Sequence, residues 1–488
     1  MDKGSTYSLG IDIGTGSIKA VIINNKGLVI NSYQQFYPIK SGFVMLDPEM
    51  IWTTFKRCLN EALFNLEGKI AGITLSSCMH SLLLMDKNNK PLTPLITWAD
   101  TRSNLIANRL RNSPIAKKIY LETGAPIHAM TPFCKIIWYK ENEPALFKKV
   151  FKFISIKEFI WFQLFKVYQV DHSIAGSSGL FNIKSLDWNQ LSIKTSGIKS
   201  NQLSEIVGCD HFRTVTDKGK FNGITFCIGS SDGCFANLGS FVFNSKQVAL
   251  TIGTSGAVRT TLTKPNHDFK NMVFNYVLDK STFISGGPIN NGGNIVKWLL
   301  KTYLKIEDPN ENDYTSLFLK IKTIPPGSEG LLFLPYLNGE RAPVWDENAS
   351  GAFVGIKNHH NENHFLRAGV EGVCFALHSI LEMMEKEKSF FSSIHISGGF
   401  IQNKEWVQML ADITVKKILI FYDEDASALG AAFYGLSTFK IIKDFTKIKV
   451  TPKSITSPNQ RNYKIYKKYF SIYKKIYPSI KDISHQLQ

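Results

Sequence analysis

Residues 228–256 read IGSSDGCFANLGSFVFNSKQVALTIGTSG, with a lone acid at one end and a phosphate-type glycine turn at the other. The apolar run from Gly223 to Ile228 predicts a buried strand, and Ser230, Ser231, Asp232 and Gly233 predict a polar turn after it. That sets Asp232 at a strand end, facing a cleft. A short helical segment follows, and Gln247 to Ile252 predicts a second strand closing on Gly253, Thr254, Ser255 and Gly256. Missing side chains in such a turn expose backbone N–H groups, beside hydroxyls, to an anion. An acid beside a phosphate cradle points to phosphoryl transfer.

A related pattern lies near the start of the chain. Residues 7–30 read YSLGIDIGTGSIKAVIINNKGLVI, two β-rich runs joined by Gly14, Thr15, Gly16 and Ser17, with a turn at Asn24, Asn25, Lys26 and Gly27. This predicts a phosphate-gripping hairpin with Lys19 just beyond its turn. One glycine hairpin is weak evidence, because most bind nothing. Residues 11–15, IDIGT, and 250–254, LTIGT, share the order apolar, polar, apolar, Gly, Thr, and each is followed by another β-rich segment. The repeat suggests a duplicated domain. Two such turns facing each other across a cleft could hold a nucleotide's phosphates from both sides.

Composition sets the limits. A chain of 488 residues with 44% apolar content is too long for one ordinary domain and long enough for two. Its seven cysteines show no metal-binding spacing and no disulfide framework, which predicts reduced thiols in a cytoplasmic protein. Lysines interrupt every apolar run before it could span a bilayer, and no signal peptide is recognisable. The net charge of +17 is concentrated: from Lys440 to the end there are eleven Lys, one Arg and two Asp, so 12 − 2 gives +10. Tyr466, Phe470, Tyr473 and Tyr477 recur there at helical spacing, predicting a docked helix with wet lysines rather than a nucleic-acid-binding arm.

Other stretches supply local structure and candidate ligands. Asp47, Pro48 and Glu49 open a helix, with Ile51, Phe55, Leu59, Ala62, Leu63 and Leu66 on its buried face. The strand Ile70 to Leu75 ends on Ser76, Ser77, Cys78, Met79 and His80, and His80 there reads equally as a ligand or as a satisfied structural residue. Residues 96–102, ITWADTR, combine an aromatic platform, an acid and a guanidinium, a mixture that suits hydroxylated or anionic small molecules; surface salt bridging is the alternative. Thr131 is expected to cap a helix after His128, and Ser155 with Glu158 to form a capping box. Residues 171–179, DHSIAGSSG, predict a polar loop. Gly286, Gly287 and Asn290 to Gly293 predict a glycine-rich approach to a helix carrying Lys297. Residues 394–399 predict a strand entering a glycine turn, with Asn403 at the next helix's N-cap, and residues 425–435 a small-residue packing helix.

Taken in order from Tyr7 to Gly435, these stretches resemble the FGGY carbohydrate kinase family. The resemblance implies an α/β protein of two actin-like, ribonuclease H-like domains with a ligand cleft between them. Its domains would be residues 1–242, carrying the sugar site and first phosphate loop, and 243–436, carrying the nucleotide; residues 437–488 would be a basic helical tail docked on the second. It implies ATP and Mg²⁺ as cofactors. Asp12, Gly14, Thr15, Ser17 and Lys19 match the first phosphate loop, with Asp12 also the metal ligand, and Gly253, Thr254 and Ser255 match the second. Gly293, Lys297, Gly398, Gly399 and Asn403 match adenine-nucleotide positions. Asp232 matches the catalytic base, and Met79, His80, Trp98, Asp100, Arg102 and His128 the sugar site. Gly16 stands where some members carry a hydroxyl, and Gly233 where others carry Asn or Gln. The runs TWADTRS, TGAPIHAMTPFCKIIW, DHSIAGSSGLFNI and SDGCFANLG are most similar to gluconokinases, with xylulokinases next. The partners implied are a small sugar or sugar acid and ATP, without nucleic acid or membrane, and with a homodimer as one expectation for assembly. Outside the enzyme class, the alternative is a catalytically inactive sugar- or nucleotide-binding actin-like protein, which would have no need of an acid at Asp232.

Overall fold

A computed structural model describes residues 6–38, 44–64, 66–216, 219–385, 390–422 and 425–487. The chain forms two compact units, and neither is a continuous half. The first comprises Met1–Phe243, Thr261–Ser285 and Glu424–Val450; the second comprises Asn244–Thr260, Gly286–Asp423 and Thr451–Gln488. A single cut near residue 243 therefore misses two segments, because the small-residue helix Ala426–Thr438 packs on strands far from it in sequence.

In the first unit, six strands run in the order Phe212–Thr214, Thr225–Ser231, Lys69–Ser77, Thr6–Ile13, Ser17–Ile23, Val29–Phe36. The first two runs of the chain pair antiparallel as the predicted hairpin. Thr6–Ile13 pairs parallel with Lys69–Ser77, which pairs parallel with Thr225–Ser231. Leu9, Ile11 and Ile13 are buried on one face of the central strand. On the other, a Cβ at Gly10 would lie 2.0 Å from the carbonyl oxygen of Ala428, so only glycine lets the Ala426–Thr438 helix come this close. Ser8 Oγ donates to the Ala432 carbonyl at 2.8 Å in the same contact.

Register places the chemistry. Ile13 lies opposite Ser77, and Ser77 opposite Ser231, so three parallel strands end level with one another. Whatever follows each strand, namely the Gly14 turn, the Cys78 loop and Asp232, emerges at one sheet edge, where open α/β sheets bind ligands.

Several local expectations change. Ser230 and Ser231 finish the strand, and Asp232 is the first residue of a helix, Asp232–Gly239, capped by Ser231 Oγ, so there is no polar turn. Residues 171–179 form a helix, His172–Ser177, rather than a loop, because Asp171 accepts from the amides of Ser173 and Ile174. Thr131 precedes the helix Pro132–Asn142 without capping it; its hydroxyl donates to the His128 carbonyl at 2.9 Å. Gly286 and Gly287 lie within the strand Thr282–Ile289, leaving Gly292 and Gly293 at the helix start. The Ser155–Glu158 capping box is present, as is the Asp47 contact to the first turn of Pro48–Phe64.

The second unit repeats the device. Gln247–Ile252 pairs antiparallel with Gly256–Leu262 and parallel with Ser393–Ser397, where Thr251 lies opposite Ser397. The Gly253 turn and Gly398 thus leave one sheet edge together. The long helix Glu362–Glu385 packs closely through its glycines: a Cβ at Gly372 would lie 2.4 Å from the Phe333 carbonyl oxygen. Helix Gln460–Gln486 lies against it by the predicted face. The hydroxyl of Tyr466 receives a bond from Arg367 at 2.8 Å and donates to Glu371 at 2.9 Å, while Phe470 and Tyr473 pack on Phe375. Lys464, Lys467, Lys468, Lys475 and Lys481 stay exposed on its other side. Among the described residues, no helix is long and apolar enough to cross a membrane, and all seven cysteines are buried thiols outside any disulfide.

Candidate active site

At the sheet edge of the first unit, the buried Asp12 carboxylate accepts from Ser76 Oγ at 2.5 Å. Burial, with Asp425 and Asp232 nearby, pushes its pKa up to about 8. A group of carboxylates that close together favours a proton or a cation among them. Lys19 supplies one cation, with Nζ 2.7 Å from Asp425 Oδ2. Burial works against the Lys19 ammonium, but Asp425 and Asp12 more than offset it and its pKa rises. The turn itself is braced from below: Gly14 N donates to Ser17 O at 3.1 Å, and Tyr37 Oη donates to Gly14 O at 2.8 Å. Ser17 Oγ accepts from Gln34 at 3.0 Å.

Asp232 is half-buried and opens its helix, where the helix N-terminus favours a carboxylate. Its position is set by a fully buried ion pair. Lys157 Nζ reaches Asp171 Oδ2 at 2.7 Å and the Ser230 carbonyl at 2.9 Å. Asp171 Oδ1 accepts from Ser173 Oγ at 2.6 Å, and Ser173 Oγ in turn accepts from Ser231 N at 2.7 Å. The two residues before Asp232 are therefore held by side chains from two other elements.

The predicted sugar residues lie on three loops of the same unit. His80 is buried, with φ 61, a left-handed conformation that costs a non-glycine residue energy. Both its ring nitrogens are engaged: Nδ1 with the Ser177 carbonyl at 2.8 Å, Nε2 with Tyr276 Oη at 3.1 Å. Arg102 lies clamped: Nε and Nη2 each reach Asp100 at 2.8 Å, Nη1 reaches Tyr139 Oη at 3.1 Å, and the guanidinium stacks 4.9 Å above the Trp138 ring. Of its two sequence readings, the geometry fits loop fixation. Trp98 and Met79 are half-buried, and His128 Nδ1 accepts from Met130 N at 3.1 Å. Lys135, wholly buried, sends its ammonium to the carbonyls of His80, Thr97 and Met130 at 3.1, 2.6 and 2.8 Å. Burial pulls its pKa down to about 7, against the pull of Asp100 and Cys134.

The second unit holds a cavity of about 650 Å³. Gly253, Thr254, Gly293, Lys297, Gly399 and Asn403, all expected from sequence, line it. Ser255 and Gly398 stand behind this wall: Ser255 O accepts from Gly253 N at 2.9 Å, and a Cβ at Gly398 would lie 2.3 Å from the Ile252 carbonyl oxygen. Gly293 N donates to the Gly253 carbonyl at 2.7 Å, which ties the helix start to the turn. Opposite the polar end, Tyr314, Phe318, Phe400 and Trp406 form an apolar wall, with Phe318 and Trp406 stacked at 5.6 Å. An apolar slot ending in backbone amides and hydroxyls suits a flat base joined to phosphates.

Residues 7–239 match the N-terminal domain of the FGGY family of carbohydrate kinases, and residues 248–438 its C-terminal domain. The chain belongs to the FGGY family of carbohydrate kinases. It is 35% identical to a gluconokinase of Bacillus subtilis over 91% of this chain and 90% of that protein. Among solved structures, a gluconate kinase and a ligand-bound xylulose kinase, both from Lactobacillus acidophilus, each match with TM-score 0.91 and 30% identity over 99% of this chain and 100% of theirs. It is thus a carbohydrate kinase with the actin-like fold of the family, acting on a sugar with ATP.

For this kinase, sequence reading overlooked five contributors to the site: Asp425, Lys157 with Asp171, Lys135, Tyr276 and the aromatic wall of the cavity. Asp425 carries an N-cap signal, and its side chain does accept from Ser427 N at 3.0 Å. Its second oxygen, on Lys19, is a contact across 406 residues that no local pattern announces.

Proposed function

We propose that the substrate is D-gluconate, phosphorylated by ATP on its terminal hydroxyl to 6-phosphogluconate, with Asp232 as the general base and the chain acting in the cytoplasm. The observation that carries this reading is Asp232 at the head of its helix, oriented by the buried Lys157–Asp171 pair. A protein that only sensed sugar would not need an acid held at such a cost, since a buried ion pair loses in desolvation much of what it gains. Asp232 takes the proton from the hydroxyl as that oxygen bonds to the γ-phosphorus, while the bond from the γ-phosphorus to the β,γ-bridging oxygen breaks and ADP leaves with that electron pair. The Gly14–Ser17 turn offers backbone amides and hydroxyls to the transferring phosphoryl group, and the Gly253 turn offers the same to the nucleotide phosphates.

The residues present also fit Mg²⁺. Asp12, with a carboxyl pushed up to about 8 beside Asp232 and Asp425, is a group whose charge a divalent cation would relieve. Among the described residues, no three His, Cys, Asp or Glu form a metal cage, so Asp12 is the residue that would hold the ion. When bound there, Mg²⁺ supplies charge neutralisation to the phosphates.

Gluconate is favoured by the 35% identity to a gluconokinase. Xylulose is the second reading, because a xylulose kinase structure matches as closely as the gluconate kinase does. Comparing kcat/KM for gluconate and xylulose decides between them, and a preference for xylulose overturns the assignment. In Arg102→Gln the gluconate-to-xylulose ratio should stay within about threefold while both rates fall, since Asp100 already occupies the guanidinium. A selective loss of gluconate in that variant would instead make Arg102 a direct contact of the gluconate carboxylate.

A further inference from the structure

Lys135 buries its ammonium completely and donates to three backbone carbonyls, and these identify what it holds. One belongs to His80 itself, one to Thr97, immediately before Trp98, and one to Met130, two residues past His128. Each carbonyl lies on a different loop, and each loop carries a residue assigned above to the sugar. An ammonium has three N–H donors, so three carbonyls use them all and none is left for a ligand.

We propose that Lys135 is the positioning residue of the sugar site, a single buried ammonium that pins three substrate-facing loops to one point without touching the substrate. The inference rests on the sugar-site reading given above. It explains why a lysine is kept in a place that strongly disfavours charge: no neutral side chain of this length offers three donors in a tetrahedral fan, and arginine offers a planar fork instead. It also explains how His80 can remain left-handed, since its carbonyl is fixed by Lys135 while both ring nitrogens are fixed by Ser177 and Tyr276. Placement of the reacting hydroxyl depends on these loops, and small misplacements are costly in rate.

The test uses the full chain with Lys135→Met. Gluconate KM should rise about ten- to a hundredfold, the range for losing well-placed polar contacts, while ATP KM stays within about twofold. Hydrogen exchange without ligand should show faster exchange in residues 79–82, 97–102 and 128–131 and little change around Gly253. An equal shift in both constants, or an unchanged gluconate KM with unchanged exchange, overturns the inference. Should Lys135→Met fail to fold, Lys135→Gln, which keeps two donors, should give a smaller gluconate-selective loss, and a loss shared with ATP overturns it equally. Wild-type protein that turns over neither gluconate nor xylulose would remove the sugar assignment, while the exchange comparison would still decide whether Lys135 pins the loops.

Discussion

The two glycine turns begin from almost the same five residues, IDIGT and LTIGT, and end in opposite surroundings. Both close an antiparallel hairpin whose first strand has a parallel neighbour, so both sit at the carboxyl edge of a sheet. Around Gly14 are the buried Asp12 and the half-buried Asp232, Asp425 and Lys19, a group of ionisable side chains. Around Gly253 are Phe318, Phe400 and Trp406, with the cavity of about 650 Å³. The same hairpin therefore meets two different surroundings, set by the neighbouring elements. On the function proposed above, the first would manage protons and cations and the second would hold a base and its phosphates.

The largest expected effect comes from the charged side. Asp232→Asn should leave gluconate and ATP binding nearly intact and lower kcat by roughly 10² to 10⁴, the range for losing a general base. Near-normal turnover would take Asp232 out of the mechanism and leave the charged turn without a chemical task.

On the other side, the effect should fall on nucleotide binding alone. A Cβ at Gly253 meets no protein atom within 4 Å, whereas a Cβ at Gly293 would lie 2.7 Å from the Gly253 carbonyl oxygen. Gly293→Ala should weaken ATP binding about ten- to a hundredfold through overpacking of the turn, and Gly253→Ala less. Calorimetry with each ligand separately measures both. Equal losses of gluconate and ATP in Gly293→Ala would mean that the two sides are not divided as described.

The smallest effect is thermal and pH-dependent. The folded-state pKa of Asp12, about 8, lies above its ordinary 3.8, so the native chain keeps a proton that the unfolded chain has released. Its contribution to stability is complete below about pH 4 and is lost as pH rises towards 8. In Asp12→Asn this slope should vanish, and near pH 8 the variant should melt about 2 °C or more above wild type without Mg²⁺. Adding Mg²⁺ should raise the wild-type melting temperature more than the variant's. Parallel melting curves for both proteins from pH 5 to 8 would show that the charges around Gly14 are already balanced.

What could be read from the chain was whatever depends on near neighbours. The hairpins, the strand Gln247–Ile252, the Asn403 cap, the capping box at Ser155 and the buried face of Gln460–Gln486 all express periodicity, caps and turn residues. The family could be read as well, because its motifs stand in order. Local pattern failed where a side chain from elsewhere chose the backbone state: residues 171–179 look like a polar loop until Asp171, held by Lys157, caps them as a helix. Ser230 and Ser231 look like a turn until pairing with Ser76 and Ser77 extends the strand.

By itself, then, the sequence determined the two glycine hairpins, the capped helices at Pro48, Ile156 and Lys404 and the order of motifs that marks the family, since these rest on local pattern. Tertiary structure alone decided which charges meet. Lys19 finds Asp425, Asp171 finds Lys157, Arg102 gives its fork to Asp100 and Lys135 gathers three carbonyls. The reason is physical: desolvation makes a buried charge depend on partners within about 4 Å, and chain folding, not sequence distance, sets who is that close.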